Sequence, residues 1–126
     1  MRYALITALL VAGATTSSCG HFGMGGPGEN DALIIFRNES LDQADVYAVA
    51  PGSDMTRIGT VLPGHGDTLV VRSSVMGNGG GVNIVARILA STRTPSSGNI
   101  PLHGGDLYEV RLPADERTLV ALPARP

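Results

Sequence analysis

An all-β fold, a single antiparallel β-sandwich of about seven or eight strands over residues 32–126, is what the sequence predicts. Three observations carry it. Short runs rich in Val, Ile, Thr and Tyr recur at about ten-residue spacing. Clusters of Gly, Pro, Ser and Asp separate them, and no stretch after residue 31 shows convincing helical periodicity.

The runs follow in order. Residues 32–38 (ALIIFRN) and 44–50 (ADVYAVA) form the first two, and Pro51-Gly52-Ser53-Asp54 ends the second. Residues 56–61 (TRIGTV) and 68–72 (TLVVR) flank Pro63-Gly64-His65-Gly66. After Gly77-Asn78-Gly79-Gly80-Gly81 comes 82–89 (VNIVARIL), closed by Pro95-Ser96-Ser97-Gly98. A weaker strand at 99–102 precedes His103-Gly104-Gly105-Asp106, and then 107–112 (LYEVRL) and 118–122 (TLVAL) complete the set. Each intervening cluster supplies the fixed or positive φ that a tight reversal needs. Side chains alternate across a strand, so Tyr108, Val110 and Leu112 share a buried face, as do Val82, Ile84, Ala86 and Ile88. By the same alternation Asp45, Arg87, Glu109 and Arg111 fall on solvated faces, where cross-strand ion pairs and solubility account for them.

Composition limits the function classes. Removing the first 18 of the 126 residues leaves 108, enough for one domain with a modest core. That part holds eight Arg, no Lys and 11 acids, a balance of −3 that argues against nucleic acid, whose phosphates call for a basic excess. With no Trp, three Tyr and two Phe, a stacked-ring platform for sugars is not expected either.

The N-terminus reads as an address. Met1-Arg2 gives one positive charge, and residues 3–13 (YALITALLVAG) give an apolar stretch of signal-peptide length, too short to span a bilayer as a permanent helix. Small residues follow up to Cys19-Gly20, and Cys19 is the only cysteine. Thr16-Ser17-Ser18-Cys19 resembles the lipobox of bacterial lipoproteins, with Thr16 where Leu is usual. The resemblance implies diacylglycerol on the Cys19 sulfur, cleavage before Cys19 and acylation of the new terminus; Gly20, where Asp would signal inner-membrane retention, implies the outer membrane, facing the periplasm. The expected organisation is a signal peptide over 1–18, a lipidated Cys19 with a Gly-rich tether over 19–31, and the β-domain over 32–126. Two or three acyl chains would make such attachment effectively permanent, at about 0.8 kcal/mol per buried methylene.

Asn38 at a strand end, Asp45-Val46-Tyr47 and Arg57-Ile58-Gly59-Thr60-Val61 together resemble small β-sandwich lipoproteins and the immunoglobulin-like or transthyretin-like modules of bacteria. That likeness implies a fold and an envelope location, and it transfers no active site.

For chemistry the sequence offers two similar loops. His65 with Asp67, and His103 with Asp106, each precede a strand, and if both loops share a pole their imidazoles and carboxylates would suit zinc or a small ligand. Ordinary turn chemistry explains the same residues. Ser73-Ser74 and Ser96-Ser97 read as loop serines with no Gly-x-Ser-x-Gly elbow, and Gly77–Gly81 lacks the Lys-Ser/Thr of a phosphate loop. Asn38-Glu39-Ser40 fits a glycosylation sequon that a bacterial lipoprotein would not use, and Asp115-Glu116 reads as a solvated turn. The expectation is therefore a non-catalytic envelope module without a cofactor, contacting the membrane through its lipid and a protein or extended peptide through an exposed edge strand.

Overall fold

The computed structural model describes residues 27–77 and 81–124. Eight strands and one helical turn follow in order: β1 (Ala32–Asn38), β2 (Ala44–Val49), β3 (Thr56–Val61), β4 (Gly66–Val71), α1 (Ser73–Met76), β5 (Val82–Ile88), β6 (Ser96–Ile100), β7 (Leu107–Leu112) and β8 (Val120–Pro123). They build two four-stranded sheets, β4-β1-β7-β8 and β3-β2-β5-β6, so the all-β sandwich is the observed fold.

Alternation decides what is inside. Along β1 the residues Ala32, Ile34 and Phe36 are fully buried while Leu33 and Ile35 are half-covered and Arg37 is exposed. The pattern repeats on β2, where Ala44, Val46 and Ala48 point inward, and on β5, where Val82, Ile84, Ala86 and Ile88 do. With Val110 and Leu112 of β7 these form one core between the sheets. Tyr108 lies at the core's edge, packed against it but half-exposed.

The polar faces behave as alternation predicts. Arg37 reaches Glu109 at 3.2 Å across the parallel β1–β7 pair, and Arg111, two residues along β7, reaches it at 3.0 Å. On the other sheet Arg57 meets Asp45 at 3.1 Å, and the Arg87 guanidinium lies 5.9 Å from the Tyr47 ring centre. These are solvated pairs, each contributing less than about 1 kcal/mol.

Three details depart from the sequence reading. First, β1 and β7 run parallel, with Leu33 opposite Leu107 and Asn38 opposite Leu112, while every other pairing is antiparallel. Second, the weak strand expected at 99–102 is β6 and starts three residues earlier, taking in Ser96-Ser97-Gly98. Gly98 at φ 73° sits where the β5–β6 register shifts, and the Ser97 hydroxyl accepts from the Ile84 N–H at 3.0 Å, so serine and glycine make a bulge there rather than a loop. Third, Ser73-Ser74 open a single helical turn, whose Met76 is buried in the core.

The strands alternate strictly in direction. Loops after odd-numbered strands consequently gather at one pole, and those after even-numbered strands gather at the other, where the chain enters β1.

Candidate functional site

Each sheet ends in two edge strands, and at one corner the edges of β3 and β4 face each other. Among the described residues β3 pairs only with β2, and β4 only with β1, so each keeps one row of peptide groups without a strand partner there. Between them runs a groove of about 670 Å³. Ile58, Leu69, Val70 and Val75 give it an apolar wall, and Arg57 and Arg72 stand at its rim.

Local sequence explains the shape. A register shift opposite Val46 and Tyr47 inserts Ile58 as an extra residue in β3, which twists that edge. Beside it Gly59 lets β4 approach closely: a Cβ there would lie 2.5 Å from the Leu69 side chain. At the opposite corner the Leu119 N–H reaches the Ser96 carbonyl at 3.3 Å, and the space between β6 and β8 is smaller, about 310 Å³.

The chain enters beside this groove. Pro27 lines it, and the turn Gly28–Asp31 is latched by Asp31, which is 8% exposed. One carboxylate oxygen accepts from the Ser73 N–H at 2.8 Å and the other from the Gly28 N–H at 2.9 Å. Those two backbone donors, and then Arg72 at 3.9 Å, hold the Asp31 carboxyl below its usual range, outweighing its burial. A depressed folded pKa adds stability above the unfolded value of 3.8 that is lost as pH falls through the folded one. We therefore expect urea midpoints of the native chain to fall steeply below about pH 4, and those of Asp31→Asn to start lower and fall less. Equal slopes for the two proteins would remove Asp31 as the acid-sensitive latch.

The four residues proposed as a donor set do not meet. The His65 carbonyl accepts from the Asn38 N–H at 2.9 Å, at the end of β1, while Gly104, next to His103, packs against the Asn30 backbone before β1 begins. The length of β1, about 23 Å at 3.3 Å per residue, separates the two loops. Each pair is used locally: Asp67 accepts from the Thr68 N–H at 2.8 Å, and Asp106 accepts from the His103 N–H at 2.8 Å. Among the described residues no three His, Cys, Asp or Glu side chains gather as metal ligands. Cys19 and the lipobox lie outside the described residues.

Sequence reasoning treated Asn38 as a strand end inside an unused sequon. Its amide is 1% exposed and joins three segments: Nδ2 donates to the Asp42 and Val61 carbonyls at 2.8 and 3.1 Å, and Oδ1 accepts from the Ser40 N–H at 3.0 Å. The signal was present only as a polar residue on the inward parity of β1.

In sequence comparisons no protein-family model matches the chain, and no curated protein matches it.

Proposed function

We propose that this chain is a non-catalytic interaction module, held at the cell envelope by a lipid on Cys19, that takes an extended peptide along the groove between β3 and β4. One observation carries the reading: two strand edges, without strand partners among the described residues, frame an apolar groove. A peptide entering it would add main-chain hydrogen bonds to either edge, and alternate side chains would reach Ile58 and Val70. Anchoring is supported by the apolar segment and small residues that precede Cys19. Among the described residues no helix is long and apolar enough to cross a membrane.

The test uses linear peptides selected from a display library against the mature chain. Binders are expected to shift the backbone amides of β3 and β4, and to weaken about tenfold or more, 1.4 kcal/mol, in Ile58→Glu and Val70→Glu. Leu122→Glu, on the β8 edge, should leave affinity unchanged. Binding that maps to β6 or β8 removes the groove from the proposal. Mass spectrometry of the mature terminus checks the anchor separately: an unmodified Cys19, or cleavage elsewhere, ends that part of the reading.

A further inference from the structure

Three large, strongly exposed apolar side chains stand on three separate loops: Leu41 is 91% exposed, Leu62 52% and Leu89 62%. In sequence they have no common context. The fold brings them together, because all three follow odd-numbered strands and so share the pole remote from the chain's entry. Ala44, the first residue of β2, pairs with Val61 on one side and Ile88 on the other, placing Leu62 and Leu89 just beyond the neighbours of one residue. The Leu89 N–H donates to the Gln43 carbonyl at 2.9 Å, and Asn38 Nδ2 joins Asp42 to Val61, so the loop carrying Leu41 runs between the other two. Flanking leucines are therefore about two strand spacings apart, on the order of 10 Å. Soluble domains seldom cluster exposed leucines on adjacent loops without a use for them.

Charge at the same pole selects the occupant. Glu39, Asp42, Asp115 and Glu116 lie on these loops and the β7–β8 loop, against Arg93 and Arg117, and Arg111 of β7 reaches Glu39 at 3.9 Å, so acids outnumber bases four to three. Arg93 is drawn to the Asp115 carbonyl at 3.1 Å. Glu116 adjoins Asp42, and burial and then that neighbouring carboxyl group push its carboxyl above the usual range, so two acids share this corner of the pole. A second copy meeting this pole two-fold would set acid against acid, and an anionic lipid surface would be repelled. We propose that this pole is a docking surface, separate from the groove, for a protein partner that presents apolar side chains flanked by arginine or lysine. Its leucines would supply the buried contact, and its acids would steer and orient the partner.

The experiment titrates isotope-labelled mature chain with a stapled amphipathic helix carrying leucine on one face and arginine on the flanks. A helix has no free peptide edge, so it cannot bind by strand addition. Expected are shifts confined to residues 39–43, 62–65, 89–93 and 115–117. Affinity should fall about tenfold or more in Leu41→Ser/Leu62→Ser/Leu89→Ser, and separately in Asp42→Asn/Glu116→Gln, and it should weaken as salt rises. Ile58→Glu, in the groove, should change nothing, so failure here and failure of the groove reading are told apart. Equal binding of a control helix with glutamate in place of the flanking arginines, shifts mapping to the groove, or self-association through this pole would each overturn the proposal.

Discussion

Asn38→Ala is expected to cost the domain about 3 kcal/mol, a large share of the roughly 5–15 kcal/mol that holds a domain of this size together. The side chain is almost fully buried and its amide is fully used. Alanine would take this donor from the Val61 carbonyl and leave the Ser40 N–H without its side-chain acceptor, while the Asp42 carbonyl would keep the Ser40 hydroxyl. Each such orphan costs about 1–3 kcal/mol, far more than the bond itself contributes net. The Ser40 hydroxyl, 2.7 Å from Oδ1 and 3.0 Å from the Asp42 carbonyl, would lose one partner and keep the other, which limits the damage. Asn38→Asp separates hydrogen bonding from size. It preserves the shape but sets a carboxylate oxygen against two carbonyl oxygens, so it should be worse than alanine at pH 7 and recover when protonated near pH 3. Urea unfolding of the three proteins at both pH values reads this directly; an aspartate variant as stable as the native chain at pH 7 would mean that water already serves those carbonyls.

The strands were legible because alternation is a local property. Residues 32–38, 56–61 and 107–112 form the strands the pattern predicts, with Ile34, Phe36, Val61, Val110 and Leu112 buried. β6 was faint because Ser96-Ser97-Gly98 is turn chemistry used as a bulge, and the partners that make it a strand, with the groups that bind the two serine hydroxyls, lie on β5, more than ten residues away. That one faint strand also decides the fate of the paired histidines. Without β6, His103 would follow the fifth strand and share a pole with His65; with it, the chain reverses once more and His103 arrives beside Asn30. The parallel β1–β7 pair has the same origin, since seven strands of alternating direction leave β7 running with β1. Pole assignment is thus a matter of parity, and one missed or added strand inverts it. The leucine pole was hidden for a different reason: Leu41 and Leu62 sit outside every run and Leu89 ends one, and only the pairing of β2 with both β3 and β5 brings them together.

Phe36→Ala is the second large effect, expected at about 3–5 kcal/mol. Phe36 is fully buried and heads the bulky side chains of a core otherwise built from aliphatic residues, among them the small Ala32, Ala44, Ala48 and Ala86. It lies on β1, the strand gripped on both sides, opposite Asp67 of β4 and Val110 of β7. That placement governs the cost. Collapse around a deleted ring needs the backbone to move, but β1 is fixed by two ladders, and alanines on the facing sheet have no length with which to reach across. A cavity should therefore persist and add its own penalty to the lost transfer free energy. Phe36→Leu keeps most of the volume and should lose about 1–1.5 kcal/mol. Had the ring lain on β8, which is exposed along much of its length, local adjustment would absorb the change. Chemical denaturation at 25 °C distinguishes the cases: a loss below about 1 kcal/mol for alanine would show that the two sheets close on each other, and the rigid spacing between the poles would then have to come from the loops instead of the core.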